Sequence, residues 1–401
     1  MSVQNLLADL IAIPSPNPPG DCDAIANYIA QWLQGSGAEI ACYSPDSKPE
    51  ALSVVAQLGD GSAPVIMLHA HIDTVPVAED EAKHWSSDPF SPRCDQGRMY
   101  GKGSIDDKGI LAAMMMAFKR IAAQPQRQGT LLLVAAAEEE VGGQLGTRWL
   151  ADNQHLPEAD FIVVGEQTDN QIALAHKGVM RATVRTRGVS VHATNPDRGV
   201  NAINAMARVI LALEHYHQQL QQRQHPLVGS PSCNVGTIQG GSTANAVPDS
   251  CTVRLDRRMI PREDPETVQA ELRQVVASVA LGEAQADIGE FLFSSWFDSG
   301  LSTALGQAFL QSVRDLHDPE AVPIGYLPGS DAKHLLELQR GDMIIFGPGS
   351  YEVAHHFDEY VELAALEQSE AILYHFLNRV MLQKPDAAAT VSKASSSKAS
   401  S

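Results

Sequence analysis

Apolar positions along the chain follow two rhythms. Short unbroken runs, "VIML" (65 to 68), "LLLVAAA" (131 to 137), "FIVV" (161 to 164) and, far downstream, "MIIF" (343 to 346), alternate with stretches of helical spacing. Unbroken apolar runs of strand length belong to strands buried on both faces, so the alternation predicts an α/β fold, a mostly parallel sheet flanked by helices. A first helix is expected within residues 2 to 11, where "IPSPNPPGD" then breaks it. A second should span "CDAIANYIAQWLQGSG" and end at its glycines.

Between the third and fourth runs the pattern changes. "VMRATVRTRG" reads as a strand, "GVNAINAMARVILALEHYHQQL" as a helix, and "SCNVGTIQGG" and "CTVRLDRRM" as strands. "DPETVQAELRQVVASVA" reads as a helix and "EFLFSSWF" as a strand. The order βαββαβ is a complete small α+β unit. It predicts an inserted domain at 178–293 within a discontinuous larger domain, 1–177 and 294–383. The tail, 384–401, is rich in Ala, Ser and Lys and is expected to be disordered.

With 401 residues the chain exceeds the size of a single core, in keeping with two domains. A formal net charge of -19 argues against a nucleic acid partner, whose phosphates it would repel. No apolar run approaches the roughly 20 residues that a membrane helix needs, and the N-terminus has no leader pattern. A cytoplasmic location without a membrane partner is the expectation. Five cysteines without CxxC spacing suggest reduced thiols rather than a disulfide framework or a thiolate metal site.

Chemistry gathers where the strands are expected to end. "VIML" is followed by His69, His71 and Asp73, and "LLLVAAA" by Glu138, Glu139 and Glu140; "FIVV" is followed by Glu166, and "MIIF" by a loop with His355 and His356. Acids and imidazoles at four strand ends would bury too much charge unless a cation compensated it. A fifth contribution is "YGKGSIDDKG", where Asp106 or Asp107 precedes an apolar helix; it lacks the glycine and lysine spacing of a phosphate loop. Imidazoles and carboxylates without thiolates suit zinc, with cobalt or manganese as substitutes. One histidine per ion and a shared carboxylate would make a paired site, the ions about 3.5 to 4 Å apart.

"HAHIDTVP", "YGKGSIDDKG", "AAEEEVGG", "VVGEQTD" and "FGPGSYEVAHHFDEYVEL", in that order, resemble the two-zinc amidohydrolases. Aminoacylase, acetylornithine deacetylase, succinyl-diaminopimelate desuccinylase and glutamate carboxypeptidase belong to that family. The resemblance, over roughly residues 5 to 380, implies two zinc ions per subunit. It makes His71, Asp106, Glu140, Glu166 and His355 metal ligands, with Asp106 bridging and His356 as the rival of His355. Asp73 would orient His71. Glu139 would be the general base, with a register slip inside "EEE" as the alternative. The inserted domain would be a dimerisation or lid domain whose His192 reaches the neighbouring subunit's site. Asn245 and Arg258 would hold a substrate carboxylate, and Gly329 and Ser330 would touch substrate. The implied activity is cleavage of the amide of an N-acyl amino acid by a homodimer. The alternative is a carboxypeptidase or dipeptidase acting on short peptides.

Overall fold

The structure is a computed structural model that describes residues 1–382. The tail expected to be disordered lies outside the described residues. Four parallel strands form the centre of the larger sheet in the order Thr130–Ala136, Val65–His71, Ala159–Gly165 and Gln339–Phe346. The apolar runs are unbroken because alternate side chains feed two different cores. Ile66, Leu68, Leu131, Leu133, Phe161, Val163, Ile344 and Phe346 pack on one face beneath the helices Val3–Ile11, Lys108–Ala122 and Leu363–Met381. Met67, Leu132, Val134, Ile162, Val164, Met343 and Ile345 pack on the other face with Leu150 and Leu335. Each such side chain contributes about 1.5–3 kcal/mol on burial.

The edges depart from the parallel pattern. Glu39–Tyr43 and Ser53–Leu58 add an antiparallel pair at one side, and Ala173–His176 runs antiparallel to Gln339–Phe346 at the other. The short connection between Glu39–Tyr43 and Ser53–Leu58 leaves no room for a crossover, so that pair is antiparallel. Tyr360–Glu362, Arg98–Tyr100 and Arg93–Asp95 form a third small sheet that the sequence pattern did not predict, each strand being three residues long.

Residues 178–294 follow the order strand, helix, strand, strand, helix, strand. Their sheet is antiparallel throughout, ordered Ser232–Gly240, Ser250–Met259, Gly178–Arg187, Gln285–Ser294. The helices Ala202–Leu220 and Pro265–Ala277 share a core with one of its faces. The strand expected at "EFLFSSWF" begins earlier, at Gln285, and ends at Ser294, while Phe297 and Asp298 have already returned to the larger sheet.

Candidate metal centre

Because the four central strands are parallel, their carboxyl ends emerge along one edge, and the side chains just beyond them are brought together there. His71 ends its strand; its Nε2 lies 3.0 Å from Asp106 Oδ1. His355, in the loop after Phe346, places Nε2 3.0 Å from Asp106 Oδ2 and 3.2 Å from Glu140 Oε2. Each oxygen of one carboxylate thus faces a different histidine. Two sets have ligand atoms within 4.8 Å of one another: His71, Asp106 and Glu166, and Asp106, Glu140 and His355. His356 belongs to neither and turns its ring toward Phe357.

The donor chemistry fits a pair of divalent cations. Burial pushes the Glu139 carboxyl up to about 8 against the pull of Lys333. Burial together with nearby acids likewise raises Glu140 and Glu166. For Asp106 burial works in the same sense, but hydrogen bonds from His355 and His71 outweigh it and hold its carboxyl below the ordinary range. The same contacts push the His355 imidazole up to about 10. Carboxyl groups whose ionisation burial disfavours, around an aspartate that raises its histidine neighbour, are groups whose protons a bound cation would displace.

A network around these groups fixes their directions. Asp73 is fully buried, and its carboxylate accepts the Glu139 amide at 3.1 Å and the Glu140 amide at 3.2 Å. It also lies 3.5 Å from His71 Nδ1, whose closer partner is the Asp73 carbonyl at 3.0 Å. One aspartate therefore sets the turn that carries "EEE" and steadies the first histidine. Gly143, at φ +74°, lets that turn approach the next loop; a Cβ there would sit 2.3 Å from Asp331 Oδ1. Asp107 is buried rather than exposed, and its Oδ2 accepts the His71 amide at 3.3 Å. His69 is buried against Thr147, Nε2 to Oγ1 2.7 Å, and stays outside both sets.

Several participants escaped the sequence pattern. Asn17, from the segment read only as a helix breaker, donates to Asp73 Oδ2 at 2.9 Å and to Glu138 Oε1 at 3.0 Å. Glu138 also pairs with Lys48. Glu359 accepts the amides of Ile105 and Asp106, so it holds the backbone of the shared carboxylate; its signal was the glutamate that closes "AHHFDE". Gln167 donates to Asp106 Oδ1 at 3.0 Å, and the Tyr326 hydroxyl to Glu166 Oε2 at 2.9 Å. Lys333 Nζ stands 3.7 Å from Glu139 Oε1.

A cleft of about 620 Å³ opens onto this centre, lined by Glu139, Glu140 and His355 together with Arg258, Gly329 and Lys333. His192 and Asn245 do not line it. Both are exposed and adjacent: His192 bridges to Ala246, and the Ala193 amide donates to the Asn245 carbonyl at 2.9 Å. Ser330, expected to touch substrate, is fully buried, and its hydroxyl accepts the Ala332 amide at 3.3 Å. It shapes the turn instead of facing the cleft.

The chain is 28% identical over 363 residues to an acetylornithine deacetylase from Proteus mirabilis, covering 90% of each. It is 28% identical over 395 residues to a probable succinyl-diaminopimelate desuccinylase from Staphylococcus aureus, covering 89% of this chain and 92% of the relative. Among solved structures, a tripeptidase from Staphylococcus aureus shares the fold with a TM-score of 0.75 at 22% identity, covering 94% of this chain and 97% of that one. A dinuclear metal-binding peptidase from Bacillus subtilis does so with a TM-score of 0.68 at 18% identity, covering 94% and 97%. The profile of peptidase family M20/M25/M40 matches residues 67–379, a span that contains both ligand sets, and the chain belongs to that family.

Proposed function

We propose that this hydrolase cleaves the amide of an N-acyl amino acid, with two ions, zinc or in its place cobalt or manganese, held by His71, Asp106 and Glu166 and by Asp106, Glu140 and His355. The observation that carries the proposal is Asp106, whose two oxygens face two histidines at 3.0 Å each. Ions bound there would polarise the scissile carbonyl and acidify water near neutral pH. The chain's own groups do the rest. Glu139, beside the second set and on the cleft wall, takes the proton as the water oxygen bonds to the carbonyl carbon. It returns that proton to the departing amine nitrogen as the C–N bond breaks. Asp73 keeps Glu139 and Glu140 on one turn, so that base and ligand move together. Arg258 holds the substrate carboxylate.

His192 and Asn245, exposed and away from the cleft of their own chain, support a homodimer in which they complete a partner's site. A cytoplasmic setting suits the five cysteines, all free thiols and two of them exposed. Among the described residues no helix is long and apolar enough to cross a membrane.

The test is metal content against turnover. Purified protein should hold up to two zinc ions per chain, lose activity to a chelator, and hydrolyse an N-acyl amino acid in preference to its C-terminal amide. Full activity after demonstrated metal removal would overturn the mechanism. Equal kcat/KM for acid and amide would remove the carboxylate role of Arg258.

A further inference from the structure

The cleft wall opposite the metal centre carries an excess of positive charge. Lys177, Arg181 and Arg258 line it. The two arginines share one carboxylate: Asp256 lies 2.7 Å from Arg258 Nε and 3.4 Å from Arg181 Nε. Lys177 Nζ donates to the Ser230 carbonyl at 2.6 Å, and no described carboxylate pairs with it. The carboxylates that do line the cleft, Glu139 and Glu140, belong to the metal centre. In a chain of net charge -19 this local surplus runs against the composition. Burial and the neighbouring Arg258 and Arg257 push the Lys177 ammonium down from its ordinary range, as expected among uncompensated cations.

Next to these cations the lining turns apolar and stays open to water. Val141 is 51% exposed, Leu292 68% and Phe293 42%. Val141, on the turn after Glu140, and Leu292 and Phe293, on the strand Gln285–Ser294, are large apolar side chains lining one cleft, which marks contact surface rather than solvated surface.

Resting on the deacylase reading above, we infer that the preferred substrate joins one carboxylate to a bulky apolar group and carries no ammonium. The carboxylate goes to Arg258. The apolar group, whether side chain or acyl chain, covers Val141, Leu292 and Phe293. An ω-ammonium such as that of ornithine would enter a wall with three cations and no unshared carboxylate, where like charges repel within a Debye length. Specificity here differs from what the name of the acetylornithine deacetylase relative describes.

The experiment compares kcat/KM of the metal-loaded enzyme for N-acetylphenylalanine, N-acetylmethionine, N-acetylalanine and N-acetylornithine. The apolar substrates should exceed N-acetylornithine by at least about tenfold, the worth of burying one such side chain. Arg181→Gln, which removes one of the three cations and leaves Asp256 to Arg258 alone, should narrow that gap by raising N-acetylornithine. Phe293→Ser should shrink the phenylalanine to alanine ratio severalfold. Both positions are solvent-exposed, so both variants should fold, which circular dichroism will check. N-acetylornithine equal to or better than the apolar substrates overturns the inference alone, as do ratios that neither variant moves. Absence of turnover on every N-acyl amino acid overturns the deacylase reading and this inference with it.

Discussion

The end of the larger sheet and the loop of the smaller unit that carries His192 differ in how firmly their side chains are held. At the first, each group is held from behind: Asp73 by Asn17 and two amides, Asp106 by Gln167 and Glu359, Glu166 by Tyr326. Side chains there are fixed before substrate arrives, which is what electrostatic catalysis requires. At the second, His192 has one side-chain partner, Thr194 at 2.9 Å, and it is exposed. A single chain gathers both candidate metal-binding sets but leaves His192 and Asn245 outside its own cleft. The lesson is that buried groups held from several sides are set in place by the fold, whereas an exposed loop histidine is not.

The hardest blow to that contrast comes from the metal end. Glu139→Gln should lower kcat by about a thousandfold while leaving bound metal nearly unchanged. Asp106→Ala should lose metal as well as turnover, since both sets depend on it. Metal analysis beside single-turnover kinetics separates the two. If Glu140→Gln were the variant that keeps its metal and loses only turnover, the roles within "EEE" would be shifted by one.

A smaller effect tests the exposed region. His192→Ala and Glu139→Gln chains, each inactive alone, should recover activity when mixed. In a random mixture half the dimers are hybrids with one intact site of two, so recovery should reach about a quarter of the wild-type rate. Verified hybrids without recovery would mean that His192 does not act across a dimer.

The mildest test lies at the seam. His176 ends the strand Ala173–His176, two residues before the smaller sheet begins, and its ring is fully buried. Burial pushes it down to about 3 from an ordinary 6.5. Between those values the unfolded chain binds the proton and the folded chain does not. Stability present above pH 6.5 should therefore fall as the pH drops toward 3, the unfolding constant rising by up to about tenfold per pH unit from this group. Denaturant midpoints at pH 7.5, 6 and 5 will show it, and His176→Gln should flatten the slope.

The metal end was readable in the sequence because periodicity located the strand ends, and parallel strands bring the residues at their carboxyl ends together. That geometry brought whole clusters together, and the resemblance singled out His71, Asp106, Glu140, Glu166 and His355 from their neighbours His69, Asp107, Glu138 and His356. Asn17 and Lys333 were not readable, since each acts through a hydrogen bond or charge contact made by tertiary folding alone. The smaller sheet was legible in element order, but not in the start of its last strand. "QADIGE" reads as polar because only one face of that sheet is packed, and Ile288 is its one buried side chain. Ser330 failed for a related reason: a turn residue looks exposed until its loop folds back on itself.

Strand order has a consequence for biosynthesis. Gln339–Phe346 lies between Ala159–Gly165 and Ala173–His176, strands made well before it. A ribosome therefore releases the whole smaller unit while the larger sheet still has a gap in its middle. His71, Asp106 and Glu166 are all in place by then, whereas the set with Glu140 waits for His355. An emerging chain thus carries all three donors of the first set before His355 of the second is made, while Glu359, which holds the Asp106 backbone, comes after both.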